Sequence, residues 1–230
     1  MIAKLLRYND LAPDIRHFVF EVPEVSVLPF QPGQFASLCA VTGGKEITRA
    51  YSLAGEPRGD NQFEICLNRV PDGIFSPFLF DLQPGDPVTL KGILGTFGWR
   101  EPAMDSILVA TGTGIVPYKA MLNAHFLRTF TRQITLIYGT RHAKNLLWTE
   151  YYRSLEASFP QFRFLQTVTR PEENWTGLTS RVQPILLETL GERKDMQVYV
   201  CGLKEMVDSV RALCKERGLE RRQIIYEKYD

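Results

Sequence analysis

The sequence predicts two domains of different class: an antiparallel β-barrel over residues 1–100, followed by an α/β domain with a parallel sheet over residues 101–230. Three observations predict this. Charge divides near residue 100, with 9 Lys and Arg against 11 Asp and Glu before it and 18 against 15 after it. The first part consists of short apolar stretches broken by turn residues, the pattern of an antiparallel barrel. In the second part apolar runs alternate with helical stretches, the pattern of crossover units on a parallel sheet.

Within the first part, Phe18, Phe20 and Val22 alternate with His17, Val19 and Glu21, the period of a strand. Further strands are expected at Phe35–Val41, Arg49–Ala54, Phe63–Val70 and Val88–Ile93. Between them lie Gln31-Pro32-Gly33, Gly43-Gly44, Pro71-Asp72-Gly73 and Gln83-Pro84-Gly85-Asp86. In such turns proline presets φ and glycine permits positive φ.

The second part carries apolar runs at Ile107–Ala110, Ile134–Tyr138, Phe162–Val168, Val198–Val200 and Ile224–Tyr226, each the length of a buried strand. Between the last two, Lys204–Arg217 reads as a helix whose apolar face is Met206, Val207, Val210, Leu213 and Cys214. Cys214 is expected to be a packed thiol.

Composition excludes several classes. With 44% hydrophobic and 23% charged residues and a net charge of +1, the chain is too apolar for disorder and lacks the one-sided charge of a nucleic-acid or membrane-surface binder. Cys39, Cys66, Cys201 and Cys214 share no Cys-x-x-Cys spacing, and His17, His125 and His142 fall into no metal or triad spacing, so no metal site is expected. Charge interrupts the first eight residues and no long uncharged apolar stretch follows, so a cytoplasmic protein is expected.

Two places carry chemistry. The strand Ile107–Ala110 runs into Thr111-Gly112-Thr113-Gly114 and then Pro117, where a helix is expected to start. Glycines there admit a ligand close to the backbone, and a helix start offers amides to negative charge. At the end of the first parallel strand this is a nucleotide position, although the third glycine of the common fingerprint is missing and a ligand-free turn stays open. The next strand ends in Gly139-Thr140-Arg141 with no acid, the third in Thr169-Arg170, and Ser180-Arg181 follows. Arginines and hydroxyls at strand ends suit a phosphate, with solvated surface arginines as the alternative. In the first part, Arg49-Ala50-Tyr51-Ser52 is followed by Gly73-Ile74-Phe75-Ser76-Pro77, read as a helix start with Ser76 as N-cap and Pro77 as first helical residue. That set could hold a pyrophosphate and a flat ring; ordinary barrel packing is the alternative for Tyr51.

Arg49-x-Tyr51-Ser52, Gly73-x-x-Ser76, Gly112-Thr113-Gly114-Ile115-x-Pro117, Tyr138-Gly139-x-Arg141 and Val198-Tyr199-Val200-Cys201-Gly202 stand in this order along nearly the whole chain. In this the chain resembles the ferredoxin–NADP reductase family, with a bacterial-type Val70-Pro71-Asp72-Gly73 and a plastid-type ending Glu227-Lys228-Tyr229. The resemblance implies an FAD-binding barrel and a nucleotide-binding domain that together move hydride between NADPH and flavin. Electrons would then pass singly to a separate ferredoxin or flavodoxin.

By the same resemblance Arg49 pairs with the FAD pyrophosphate, Tyr51 stacks on the isoalloxazine, Ser52 bonds near the hydride-accepting nitrogen, and Gly73–Ser76 donate to the pyrophosphate. Thr111, Gly112, Thr113 and Gly114 line the NADPH path, and Cys201, with Gly202 beside it, sits near the nicotinamide. Arg141, Thr169, Arg170 and Arg181 hold the 2′-phosphate. Glu227 lies next to the flavin, and Tyr229 covers its other face, although here Asp230 follows it. Trp175-Thr176-Gly177 resembles a segment of NADH-using oxygenase reductases, so such a reductase is one alternative. A flavin-binding electron-transfer subunit without its own turnover is another.

Overall fold

The computed structural model describes residues 1–229, Ala124 by its backbone alone. Asp230, the residue that follows the aromatic at position 229, lies outside the described residues. The chain forms two compact units, Met1–Gly98 with Val116–Met121, and Trp99–Ile115 with Leu122–Asp230.

The first unit is built from β1 (Ile2–Ala12), β2 (Ile15–Glu21), β3 (Phe35–Thr42), β4 (Lys45–Ser52), β5 (Gln62–Asn68), α1 (Phe75–Asp81) and β6 (Pro87–Leu94). Its sheet runs β4-β3-β6-β1-β2-β5, every pair antiparallel. A bridge between Leu53 and Ile65 joins the two ends, giving the expected barrel. Phe18, Phe20, Leu38, Phe63 and Ile65 are buried inside, with Phe20 and Phe63 stacked at 5.4 Å. Each such ring stabilises the fold by about 1.5–3 kcal/mol through burial.

β1 was absent from the elements read off the sequence. Its pairing with β2 shifts register between Leu5 and Arg7, so Ala3 and Leu5 point inward but the alternation then breaks. β4 begins at Lys45, four residues before the expected Arg49, because it pairs with β3 in unbroken register from Thr42↔Lys45 to Phe35↔Ser52.

The opposite face of β2 is not simply solvated. Val19 is buried, and the His17 ring lies between Asn9 Oδ1 at 3.1 Å and Glu64 Oε2 at 3.0 Å. The other Glu64 oxygen pairs with Arg58. Burial first, then the cations of Lys119, Arg7 and Arg58, lower the His17 pKa to about 4, so the ring is neutral at pH 7.

The second unit contains β7 (Asp105–Thr111), α3 (Ala124–Thr129), β8 (Ile134–Thr140), α4 (Thr149–Ser158), β9 (Phe162–Val168), α5 (Val182–Leu190), β10 (Met196–Leu203), α6 (Lys204–Glu216) and β11 (Ile224–Tyr229); α2 (Val116–Met121) groups with the first unit. Its sheet is β11-β10-β7-β8-β9, parallel throughout. Strands covered on both faces explain the uninterrupted apolar runs. Val207, Val210 and Cys214 of α6 pack with Ile107, Val109 and Val198, so Cys214 is the core thiol expected.

Candidate functional site

In the first unit, Thr48, Arg49 and Ala50 are consecutively exposed on β4, where a strand inside a closed sheet would alternate. Tyr51 is half-buried and its ring stacks on Phe75 at 6.1 Å, so β4 and the start of α1 lie side by side. Burial raises the Tyr51 phenol, against a smaller downward pull from Arg49, and it stays protonated. Ser52, the next residue, is buried.

The start of α1 differs from expectation. The helix begins at Phe75 with Ile74 as N-cap, so Ser76 is its second residue and Pro77 its third. The turn closed by Gly73 N–H on the Val70 carbonyl delivers the chain already helical at Ile74. The Ser76 hydroxyl accepts the Val70 N–H at 3.0 Å and ties that turn to the helix. Phe75 is in the barrel core, so only its backbone can face a ligand. The exposed edge, the Arg49 cation, the half-buried ring and the short helix start suit a diphosphate joined to a flat aromatic group.

In the second unit, β7 ends at Thr111 and a 3-10 turn, Gly112–Ile115, runs straight into α2. Helical structure thus starts before Pro117, the second residue of α2. Gly112 has φ +54° and open space where a Cβ would stand. Gly114 has the opposite reason to be glycine: a Cβ there would lie 2.2 Å from the Cys201 carbonyl oxygen. Gly202, at φ +146°, likewise leaves no room beside the Thr111 hydroxyl. The Thr111–Gly114 turn and the end of β10 are therefore packed backbone against backbone.

Cys201 is fully buried, and its register partner on β11 is Glu227. Burial, with the Glu227 charge adding to it, holds the thiol well above the ordinary range, against a hydrogen bond with Tyr229. Cys201, Glu227 and Tyr229 thus form one cluster, while Ser52 belongs to the first unit.

Arg141, Thr169, Arg170 and Arg181 also come together. With Thr179 and Ser180 they line a cavity of about 460 Å³. The Arg170 N–H donates to the Arg141 carbonyl at 2.8 Å and the Thr169 N–H to the Thr140 carbonyl at 3.1 Å, so the two strand ends are stitched together. The lining thus combines three arginines with three hydroxyl-bearing residues and no carboxylate, a composition that suits an anion. Thr179 was missed by sequence reasoning; it is carried in by the bridge between Thr167 and Leu178. Among the described residues there is no cluster of His, Cys, Asp or Glu able to hold a metal.

A barrel with an exposed strand edge and a parallel-sheet unit with a glycine turn and an arginine-lined cavity suit a flavin- and pyridine-nucleotide-dependent oxidoreductase. Residues 3–99 match the oxidoreductase FAD-binding domain and residues 108–212 the oxidoreductase NAD-binding domain. The chain is 31% identical to ferredoxin–NADP reductase B of Sorangium cellulosum, over 99% of itself and 97% of that protein. It is 31% identical to the toluate 1,2-dioxygenase electron transfer component of Pseudomonas putida, over 88% of itself, but spans only 59% of that relative's length. A crystal structure of a ferredoxin NADP+ reductase from Neisseria gonorrhoeae with bound FAD and NADP superimposes with a TM-score of 0.83 at 25% identity, covering 99% of this chain and 98% of that one. The chain belongs to the ferredoxin–NADP reductase family, and it is an FAD- and NAD(P)-binding oxidoreductase.

Proposed function

We propose that the protein oxidises NADPH in preference to NADH and passes the electrons singly to a separate ferredoxin or flavodoxin in the cytoplasm. The observation that carries the nucleotide preference is the cavity of Arg141, Arg170 and Arg181, which suits the dianionic 2′-phosphate that NADH lacks. Residues 1–100 would serve the flavin and residues 101–230 the nicotinamide nucleotide.

Bound FAD would supply the capacity to accept a hydride and release electrons one at a time. The chain's own residues hold and orient. Arg49 would pair with the pyrophosphate alongside the backbone of Gly73, Ile74, Phe75 and Ser76; the Ser76 hydroxyl is already engaged with Val70. Tyr51 would stack on the ring, with Ala50 beside it and Ser52 bonding near its accepting nitrogen. Thr111, Gly112, Thr113, Gly114 and Gly202 would line the nucleotide's path. Cys201 would act as a protonated, uncharged thiol beside the nicotinamide, with Glu227 and Tyr229 setting its surroundings.

For the acceptor, the likeness to the Sorangium reductase favours a ferredoxin. Lys215, Arg217, Arg221 and Arg222 offer a basic end of the second unit to an acidic carrier, although Arg222 and Arg217 already face Glu220 and Glu192. The likeness to the toluate dioxygenase component favours a second reading, an NADH-dependent reductase serving an oxygenase. Stopped-flow reduction of the bound flavin by each nucleotide decides between them. Faster bleaching at lower concentration with NADPH supports the first reading; equal or faster reduction by NADH rejects it.

A further inference from the structure

We infer that Glu172 is a positioning residue for the arginine cavity: it clasps the turn after Arg141 to the loop after Arg170 and so fixes the spacing of the two guanidinium groups. The inference rests on the phosphate reading of that cavity. Glu172 does not line the cavity. One of its carboxylate oxygens accepts the Ala143 N–H at 3.2 Å and the other lies 3.3 Å from His142 Nδ1. Its own carbonyl accepts the Trp175 N–H at 3.0 Å, which holds the residue in a turn. On the opposite loop the Thr140 hydroxyl donates to the His142 carbonyl at 2.8 Å, so the segment that Glu172 grips is itself folded tightly onto the end of β8. The Ala143 N–H, and to a lesser degree His142, hold the Glu172 carboxyl below the usual range, so it is charged at pH 7.

An uncompensated carboxylate two residues after Arg170 would weaken an anion site. Here the amide and the imidazole engage it, and what the side chain contributes is fixed geometry. The backbone bond between Arg170 and Arg141 ties the loops at their roots, and Glu172 ties them to Ala143, two residues farther along each loop. Held at their own backbones and again just beyond, the two arginines would start from a set separation, which lowers the ordering cost of gripping one phosphate from two sides.

Calorimetric titration of the flavin-loaded protein with adenosine 2′,5′-bisphosphate, and with adenosine 5′-monophosphate as the probe lacking the 2′-phosphate, tests this. Glu172→Ala should weaken the bisphosphate about 3- to 10-fold and leave the monophosphate unchanged, and Glu172→Gln, which still accepts from Ala143, should restore most of the loss. A Glu172→Ala protein that binds the bisphosphate as well as or better than the parent would overturn the clasp. So would equal losses for both probes, or a Gln variant no better than Ala. Arg170→Ala in the same series tests the reading beneath: if it leaves bisphosphate binding intact, the cavity is not a phosphate site and the clasp falls with it. If it weakens binding while Glu172→Ala does not, only the clasp fails.

Discussion

The backbone N–H of Arg170 donates to the carbonyl of Arg141 at 2.8 Å, so two arginines 29 positions apart in sequence leave the ends of neighbouring parallel strands as one unit. Both line the same cavity. Arg141→Ala and Arg170→Ala should each weaken NADPH by about 1–3 kcal/mol, the loss of a charge-assisted pair, and barely change NADH. Michaelis constants for both nucleotides check this, and equal losses would refute the 2′-phosphate assignment.

Tyr51 leans on Phe75 with one side of its ring while the residues before it are exposed. Tyr51→Ala should loosen the flavin by about 1–3 kcal/mol, the value of a lost aromatic face, and Tyr51→Phe should not. Flavin content after gel filtration at low concentration gives the answer; an Ala variant that stays as yellow as the parent removes Tyr51 from the site.

Gly114 touches the backbone of Cys201, which cannot swing aside as a side chain could. Gly114→Ala should therefore cost about 1–3 kcal/mol of stability through overpacking and slow flavin reduction by forcing the nucleotide turn off β10. Urea unfolding and single-turnover reduction measure the two effects separately.

The His17 ring has a folded-state pKa of about 4, below the ordinary 6.5, so protons bind the unfolded chain better. The stability this confers is complete above pH 6.5 and is lost as pH falls toward 4; its size is on the order of 3 kcal/mol. Denaturation across that range should show the loss, and His17→Gln should flatten it. An unchanged slope in the variant would assign the pH dependence to other groups.

The architecture was legible because both halves follow simple rules: turn chemistry at Pro32-Gly33 and Pro84-Gly85, and unbroken apolar runs such as Ile107–Ala110 on a doubly covered sheet. Misreadings occurred where local pattern and tertiary contact part company. The bulge after Leu5 hides β1, and the Ser76 hydroxyl closes a turn to Val70 that no local rule specifies. Arg141, Thr169 and Arg170 could be read together because strand ends of a parallel sheet converge, and the family resemblance adds Arg181, which precedes α5. Thr179 and Glu172 could not, since each is placed by a pairing that depends on how two loops meet.

β4 lies at the margin of its sheet, paired along its length with β3, and the bridge to β5 begins only at Leu53. A margin of that kind is a template on which another chain could build, the usual first step of aggregation. Here it carries Lys45 and Arg49, cations that disfavour stacking against a second copy. A newly made chain that has not met its flavin would thus be guarded from self-association by one of the residues proposed to hold that flavin.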